Sequence, residues 1–330
     1  MTGVLELRGL SVDLPLGGFL SRARLPILMD VTLSVARGES VALVGESGSG
    51  KTTLARAVMG LQAVSRGQIV LDVQAVEGAL GHARLRRDAA MMFQDATASL
   101  SPRLTVGYLV TEPFRIQGVP LPDPEGMARE LLAKVGLPPA ITQRYPHELS
   151  GGQARRVGVA RALALKPRLV IADEPTAGLD VSVQAEVLNL MADLRAEMGL
   201  AYLIITHNLA LVRHVAERVV VLYLGRVVEQ GPTAEVFAAP AHPYTASLIA
   251  AEPKPDPRQR RRDLAIRGEV PSVLRRPSGC EFHTRCPMAQ EICRVTAPHL
   301  APMGAGRQVR CHFADQNQDQ QGERHAVEHR

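Results

Sequence analysis

The sequence predicts an α/β fold built on a mainly parallel sheet, and three observations support that prediction. Short runs at 40–45, 168–173 and 201–206 are rich in aliphatic and β-branched residues and show little polar alternation. Strands that are buried on both faces of a sheet have this pattern. Helical patterns separate these runs, for example at 51–61 and 181–199. Strands that alternate with helices are typical of a parallel sheet.

One segment departs from this alternation. Residues 219–231 are expected to form a strand, a tight turn at Gly225 and a second strand. The predicted parallel sheet should therefore carry an antiparallel hairpin.

Composition narrows the possible functions. The chain has 330 residues, of which 46% are hydrophobic and 22% charged, with a net charge of +5. This is enough for a large core, and the modest positive charge does not identify a partner. Aromatic residues make up 3% and Trp is missing, so the base-stacking platforms of single-strand nucleic-acid binders are poorly supplied. No apolar run approaches the ~18 residues that span a bilayer, and the N-terminus lacks a signal-peptide pattern.

The amino-acid composition of the chain changes near residue 251. Residues 251–263 hold three prolines and a cluster of arginines, and are expected to be an exposed linker. Nucleic-acid binding by this basic cluster is the less favoured alternative. All four cysteines follow, in the segment 264–313, and the polar tail 314–330 is expected to be disordered.

The stretch GESGSGKT at 45–52 follows a predicted strand and opens a predicted helix, which is the context of a phosphate-binding loop. Its glycines let successive backbone N–H groups point at phosphate oxygens, and the helix N-terminus adds a favourable dipole. Lys51 is expected to reach the terminal phosphates and Thr52 to offer its hydroxyl to Mg²⁺. The predicted nucleotide-binding residues here are Gly45, Glu46, Ser47, Gly48, Ser49, Gly50, Lys51, Thr52 and Thr53.

Two carboxylates follow the predicted strand at 168–173. Asp173 is suited to hold Mg²⁺ through water. Glu174, one residue on, can orient a water molecule against the γ-phosphate as a general base. His207, directly after the strand at 201–206, can hydrogen-bond the γ-phosphate, although a lone histidine at a strand end is weak evidence.

The stretch LSGGQ at 149–153 predicts a second anion-binding helix start. Ser150 is a good N-cap, and Gly151 and Gly152 leave the backbone N–H groups open to an approaching anion. One nucleotide does not need two such helix starts. The second is therefore expected to serve a nucleotide bound by a neighbouring subunit, with Gln153 completing the motif.

Together these motifs resemble the ATP-binding cassette (ABC) family. The phosphate loop, Gln94 in MMFQD, LSGGQ, LVIADE, AGLD at 177–180 and His207 stand in the order of that family, over roughly residues 4 to 250. The resemblance implies a cassette over 1–250 with a parallel-sheet core, an antiparallel β subdomain and a helical signature subdomain at about 95–165. It also implies that two cassettes pair head to tail around ATP and Mg²⁺.

The same resemblance assigns roles. Glu174 would be the catalytic carboxylate, His207 the γ-phosphate sensor, and Gln94 the contact to Mg²⁺ and the attacking water. Asp180 would lie at the interface between the two cassettes. An aromatic residue often stacks on adenine in this family, but here the matching position is Leu14, with Phe19 a few residues on.

Longer stretches look like the ATPase subunits of bacterial oligopeptide, dipeptide and nickel importers. These are MMFQDATASLSPRLTV, EPTAGLDVSVQAEVLNLM and HPYTASLIAAEPKP, together with the C-terminal GEVPSVLRRPSGCEFHTRCP. Residues 14–30 resemble a long connection between the first two strands, as in the second ATPase of such systems. The implied partners are a second cassette, two membrane-spanning permease subunits and an external solute-binding protein, with this chain at the cytoplasmic face of the membrane.

The cysteines lie at Cys280, Cys286, Cys293 and Cys311, separated by five, six and seventeen residues. Zinc sites more often use closely paired cysteines, so this wider spacing suits an iron–sulfur cluster as well or better. Some peptide-importer ATPases hold a [4Fe–4S] cluster at this motif, and the resemblance implies one here. Zinc and metal-free thiols remain the alternatives, and His283 and His312 are expected to be bystanders.

The sequence therefore predicts an ATP-hydrolysing subunit of an importer for peptides or a related solute such as nickel, opines or glutathione. Two alternatives remain. One is a low-turnover regulatory cassette of such a transporter. The other, less favoured, is a soluble nucleic-acid-associated ATPase, although only 97 residues separate Thr52 from Ser150 and they carry no heptads.

Overall fold

A computed structural model describes residues 3–17, 23–252, 268–304 and 306–316. The strands are β1 Gly3–Pro15, β2 Arg24–Ala36, β3 Ser40–Val44, β4 Arg66–Leu71, β5 Gln74–Ala75, β6 Ala89–Met92, β7 Leu169–Asp173, β8 Ala201–Ile205, β9 Arg218–Tyr223, β10 Arg226–Pro232, β11 Ala301–Pro302 and β12 Gln308–Val309. The α-helices are α1 Lys51–Val58, α2 Gly78–Asp88, α3 Val106–Ile116, α4 Pro124–Lys134, α5 Gly151–Leu163, α6 Val181–Met198, α7 Leu209–Val215, α8 Thr233–Ala238, α9 Pro243–Ala250 and α10 Glu291–Val295. Short 3₁₀ helices cover Pro139–Gln143, Pro146–Glu148 and Val273–Arg275.

The main sheet has the order β11-β12-β10-β9-β3-β8-β7-β6. Its central strands are parallel: β3 pairs with β8 and β9, β7 pairs with β8, and β6 pairs with β7. Every residue of β3, β7 and β8 is buried, because helices cover one face of the sheet and the second sheet covers part of the other. The predicted α/β fold with a mainly parallel sheet is confirmed.

The predicted hairpin at Gly225 also forms. Strands β9 and β10 pair antiparallel, with Arg226 opposite Tyr223. The two turn residues, Leu224 and Gly225, have φ angles of 42° and 78°. This double left-handed geometry matches the twist of a two-residue hairpin turn. A side chain at Gly225 would also collide with the carbonyl oxygen of Ile27, 1.8 Å from the Cβ position, so only glycine fits.

A second, antiparallel sheet has the order β2-β1-β4-β5. It corrects the expectation of a long connection over residues 14–30. Strands β1 and β2 instead form one extended hairpin, paired out to Pro15 opposite Arg24. Apolar side chains of this hairpin are buried against the main sheet, and that burial favours paired strands over an irregular loop.

The helical segment between β6 and β7 contains α3, α4, two 3₁₀ helices and α5. Its apolar side chains share one core with α6 and one face of the main sheet. Helix α1 is shorter than predicted: it ends at Val58, because Gly60 takes a left-handed conformation with φ 69°.

The C-terminal cysteine-containing segment packs on the β9–β10 hairpin. Strand β12 extends the main sheet by pairing with β10. The carboxylate of Glu229, fully buried, accepts a hydrogen bond from Arg307 at 2.7 Å. Most of the predicted linker and tail lies outside the described residues, although residues 314–316 form a helical turn. Within the described ranges, no helix is both long and apolar enough to cross a membrane.

Candidate functional site

A cavity of about 480 Å³ opens at the carboxyl ends of β3, β7 and β8. Ligand sites of open α/β sheets characteristically occupy this edge. The cavity is lined by Leu14, Ile27, Ser47, Gly48, Gly50, Lys51, Thr52, Thr53, Gln94, Asp173, Glu174, Ile205 and His207. The structure therefore brings the phosphate-binding loop, both predicted carboxylates, Gln94 and His207 to one place.

The loop between β3 and α1 depends on glycine, because its three glycines all have positive φ angles. Gly45 has a φ of 153°, and a Cβ there would lie 2.2 Å from the carbonyl oxygen of Leu222. Gly50, at the N-cap of α1, has a φ of 104°. The N–H of Gly225 donates to the Ser49 carbonyl at 2.8 Å, so the β9–β10 hairpin supports the loop from behind.

The ammonium of Lys51 lies inside the curl of this loop. It donates hydrogen bonds to the carbonyl oxygens of Gly45 at 2.7 Å and Glu46 at 2.9 Å. Burial lowers the pKa of Lys51, while the nearby carboxylates of Glu174 and Asp173 oppose that shift. A partly desolvated cation at the start of a helix is a strong attractor for phosphate oxygens.

Asp173 ends β7 and lines the cavity together with Thr52. Burial raises its pKa, and the adjacent charge of Glu174 raises it further, while Thr52, Lys51 and Arg56 act in the opposite direction. A divalent cation would relieve the repulsion between the two carboxylates. The paired hydroxyl and carboxylate oxygens are donors of the kind that Mg²⁺ prefers, so these residues fit the ion that the fold implies.

Glu174 sits in a strained conformation, with a φ of 49°. Its carboxylate accepts hydrogen bonds from the N–H of His207 at 3.2 Å and the Thr206 hydroxyl at 3.4 Å. The Nδ1 atom of His207 lies 2.6 Å from the same carboxylate, and the His207 side chain is 75% exposed. The two predicted catalytic groups are therefore in contact at the mouth of the cavity.

The LSGGQ motif lies elsewhere on the molecular surface. Ser150 caps α5: its hydroxyl accepts from the N–H of Gln153 at 3.2 Å, and the Gln153 side chain accepts from the N–H of Ser150 at 3.1 Å. Ser150 and Gly151 are exposed, and neither they nor Gly152 and Gln153 line the nucleotide cavity. Asp180, at the N-cap of α6, is exposed too and lies outside the cavity lining.

Sequence analysis missed Arg155, which lies on α5 two residues after the LSGGQ motif. This residue is only 5% exposed. Its guanidinium donates to the carbonyl oxygens of Phe93, Gln94 and Ala177 at 3.1, 2.9 and 3.1 Å. Burial lowers its pKa. Arg155 thus ties the signature helix to the Gln94 segment and to the segment before Asp180. An arginine in a helix interior gives no local sequence signal for this bridge.

The base of the nucleotide has no aromatic partner among the cavity residues. Leu14 and Ile27, on the paired strands β1 and β2, line this part of the cavity. Phe19, the other residue that sequence analysis considered, lies outside the described residues. Glu46, predicted to bind nucleotide, turns its carboxylate away from the cavity and towards Arg285 of the C-terminal segment.

The four cysteines line one narrow cavity of about 10 Å³, together with His242, His283 and His312. All four thiols are free of disulfides. The Sγ atoms of Cys286 and Cys311 each accept a backbone N–H from two residues further on, at 3.4 Å. Burial raises the pKa of Cys280 to about 11 and that of Cys286 to about 12. Among the residues that the structure describes, no three potential ligands are close enough to hold a single metal ion.

Known proteins share both the sequence motifs and the fold of this chain. The sequence profile of the ABC transporter family matches residues 28–177, and the profile of the oligopeptide/dipeptide transporter C-terminal region matches residues 228–293. Among solved structures, cbiO1 of Clostridium perfringens, part of an ABC transporter complex, is 29% identical and covers 72% of this chain and 92% of its own, with a TM-score of 0.63. The ATP-binding cassette MJ0796 in a dimeric post-hydrolysis state with ADP and phosphate is 27% identical and covers 69% of this chain and 98% of its own, with a TM-score of 0.62.

Curated relatives are more similar. A probable peptide ABC transporter ATP-binding protein of Sinorhizobium fredii is 45% identical over 94% of this chain and 89% of its own length. The di/tripeptide transport ATP-binding protein DppF of Pseudomonas aeruginosa is 44% identical over 91% and 94%. The oligopeptide transport ATP-binding protein OppF of Salmonella typhimurium is 45% identical over 82% and 83%. The chain therefore belongs to the ATP-binding proteins of the ABC transporter family.

Proposed function

We propose that this chain hydrolyses ATP to drive peptide uptake through a membrane transporter, at the cytoplasmic face of the membrane. One observation carries the proposal: Lys51, Thr52, Asp173 and Glu174 converge on a single cavity, while the exposed LSGGQ helix start lies outside it. The names of relatives from several bacteria favour peptides as the transported solute.

The phosphate loop binds the ATP phosphates through its backbone N–H groups and the Lys51 ammonium. The hydroxyl of Thr52 and the carboxylate of Asp173 would hold Mg²⁺, with Gln94 at the same cavity wall. When bound, Mg²⁺ neutralises charge that develops on the phosphate oxygens. The side chains of Leu14 and Ile27 would receive the base by apolar contact.

Glu174 accepts a proton from a water molecule as the water oxygen attacks the γ-phosphorus in line with the leaving ADP oxygen. One P–O bond forms, the bond to the β-phosphate oxygen breaks, and ADP and inorganic phosphate are the products. The contact of His207 Nδ1 with Glu174 holds the carboxylate in place and leaves Nε2 of the exposed imidazole open to the γ-phosphate.

The Glu174→Gln variant tests this function. The amide keeps the shape of the side chain but cannot take the proton. We expect MgATP binding to be retained and steady-state hydrolysis by the assembled transporter to fall at least ~100-fold, the scale of a lost general base. A matched control is Glu186→Gln, whose carboxylate on α6 pairs with Arg156 and lies outside the nucleotide cavity. Near-normal hydrolysis by Glu174→Gln would refute the proposed catalytic role and would favour a regulatory cassette.

A second cassette must complete the site, because the LSGGQ helix start of this chain does not reach its own phosphate loop. Its N–H groups would bind the γ-phosphate of an ATP on the partner cassette, and the partner would do the same here. Asp180 would lie between the two. The second cassette is either a copy of this chain or a related subunit.

Two permease subunits would contact the surface formed by Gln94 and α3. A groove of about 200 Å³ between α3 and α4 opens on this surface. Two aromatic side chains are exposed on this surface, Phe93 beside Gln94 and Tyr108 on α3. A helix of the permease that lies in this groove would pass cassette closure to the membrane, and an external binding protein would deliver the peptide.

The cysteine segment is proposed to hold a [4Fe–4S] cluster through Cys280, Cys286, Cys293 and Cys311. The support is the donor set: four free thiols line one cavity, and backbone N–H groups donate to two of the sulfur atoms, those of Cys286 and Cys311. The cavity between the thiols is narrow, so binding must separate its walls. Anaerobically purified protein should be brown with about four irons per chain. Colourless protein with stoichiometric zinc would contradict the cluster.

A further inference from the structure

The cysteine segment makes a direct contact with the phosphate loop. The guanidinium of Arg285 donates two hydrogen bonds to the carboxylate of Glu46, from Nη1 to Oε2 at 2.7 Å and from Nη2 to Oε1 at 3.0 Å. The side chains are 5% and 23% exposed. Glu46 raises the pKa of Arg285, so the arginine stays charged. This forked geometry is the strongest form of an arginine–carboxylate pair.

Glu46 is the second residue of the loop, and each of its polar groups is fixed. Its backbone N–H donates to the Tyr244 hydroxyl at 2.8 Å, and Tyr244 is fully buried. Its carbonyl oxygen accepts from the Lys51 ammonium at 2.9 Å. The Arg285 pair is the third anchor. A shift of the Glu46 side chain would therefore move the backbone that positions Lys51.

Arg285 is itself positioned by the turn that joins two of the cysteines. Its N–H donates to the Phe282 carbonyl at 3.0 Å, and His283 donates likewise to Cys280 at 2.9 Å. The Phe282 ring is 1% exposed and packs edge-on against Tyr223 at 5.3 Å and Tyr244 at 5.4 Å. The aromatic cluster and the cysteine turn thus define where the guanidinium lies.

We propose that Arg285 is a positioning residue for nucleotide binding: through Glu46 it holds the phosphate loop in its binding shape. Gly48 and Gly50 give this loop a large conformational freedom to lose on binding. Ordering the loop beforehand removes part of that entropic cost and tightens nucleotide binding. A folded cysteine segment is then a condition for tight binding, although its residues do not line the nucleotide cavity.

The test measures MgADP and MgATP affinity of the full-length chain by isothermal titration. Arg285→Ala should weaken both by roughly tenfold, the scale of a lost charge-assisted pair. Arg285→Lys, which keeps the charge without the fork, should fall between wild type and Arg285→Ala. In the assembled transporter the KM for ATP should rise by the same factor, with kcat within about twofold, because Arg285 touches neither Glu174 nor His207.

The control is Arg226→Ala. Arg226 forms a comparably buried pair with Glu281 of the same segment, at 2.8 Å, and within the described residues its side chain makes no hydrogen bond or ion pair with the phosphate loop. It should remove one contact between the folded segment and the β9–β10 hairpin while leaving nucleotide affinity within about twofold, as independent sites do. Equal losses in Arg226→Ala and Arg285→Ala would overturn the proposal, because they would indicate a general effect of the segment on stability.

Glu46→Gln probes the same contact from the loop side and leaves the cysteine segment unchanged. It therefore tests the proposal even if Arg285→Ala fails to fold. It should weaken nucleotide binding severalfold, because it removes the charge that Arg285 pairs with. Adding Arg285→Ala to Glu46→Gln should cost less than about twofold more, since both act through one contact. Unchanged affinity in Glu46→Gln, or full additivity in the double variant, would refute the positioning role.

Discussion

The chain has two glycine-bordered helix starts that are suited to anions, and they are finished differently. Helix α1 begins at Lys51 after Gly50, without a side-chain cap, and faces a cavity with an ammonium, a hydroxyl and two carboxylates. Helix α5 begins at Gly151 after Ser150, which satisfies one N–H through a capping box, and its start lies on the surface. Each helix leaves backbone N–H groups without an intrahelical partner.

The difference shows which start can act alone. The α1 start carries the charged groups needed to bind a nucleotide and hydrolyse it. The α5 start has the dipole and the open N–H groups, but it lies outside the cavity that brings together the lysine and the two carboxylates. It is a complement for a phosphate that another subunit presents, and the following predictions separate the two roles.

The largest expected effect is at α1. Lys51→Ala removes the ammonium from the phosphate loop and should weaken MgATP binding by the full-length chain by roughly a hundredfold. Lys134→Ala is the matched control, because this lysine lies on α4 with only a distant carboxylate partner, Glu130 at 3.9 Å. Isothermal titration measures both. Retained affinity in Lys51→Ala would break the assignment of the loop.

Gly151→Asp should lower ATP hydrolysis about as strongly as Lys51→Ala weakens MgATP binding, and should leave MgATP binding itself nearly unchanged. A Cβ at Gly151 meets its nearest atom, on Leu179, at 3.6 Å, which is ordinary contact, so the fold tolerates the change. The new carboxylate faces the incoming phosphate and should lower ATP hydrolysis by the assembled transporter roughly a hundredfold. Gly151→Ala adds the volume without the charge and should lose far less. Similar rates for the two variants would show that charge at this helix start is irrelevant.

Arg155→Ala should have an intermediate effect, because it uncouples the α5 start from Gln94. Three partly buried carbonyl oxygens lose a charged donor, so the free energy of unfolding should fall by about 3 kcal/mol and hydrolysis by about tenfold. Arg156, the next residue, pairs with the exposed Glu186 and donates to one carbonyl oxygen, that of Val135 at 3.0 Å, so its truncation to Ala should cost only about 1 kcal/mol. Thermal unfolding and steady-state hydrolysis measure these effects; equal costs for both arginines would contradict the bridge.

The smallest expected effect comes from removing the N-cap of α5. Ser150→Ala removes the acceptor for the Gln153 N–H and should lower the free energy of unfolding by about 1 kcal/mol. Asp123→Ala removes the cap of α4, where Asp123 accepts from Gly126 at 2.9 Å, and should cost a similar amount. Only Ser150→Ala should also slow hydrolysis by the assembled transporter. If both variants slow it equally, the α5 start contributes stability alone.

Much of this comparison could be predicted from sequence, because both helix starts are short local patterns. The buried strands, the hairpin turn at Gly225 and the meeting of Lys51 with Asp173 and Glu174 follow from local patterns and the geometry of a parallel sheet. The contacts between distant residues could not be predicted in this way. Arg155 reaches Gln94, and Arg285 reaches Glu46 across 239 positions, and no local pattern encodes either contact.

The β1–β2 hairpin shows the same limit in another form. Residues 14–30 include two glycines, two prolines and two arginines, a composition typical of a connection. Their pairing depends on burial against the main sheet, so only the folded chain reveals strands there.

The central claim is that α1 binds the nucleotide of this chain and α5 serves that of another. MgATP affinity of the isolated full-length chain tests it most directly, with Lys51→Ala and Gly151→Asp compared side by side. We expect a loss of roughly a hundredfold in Lys51→Ala and a change within about twofold in Gly151→Asp. Comparable losses in both variants would contradict the claim, because they would place both helix starts on one nucleotide.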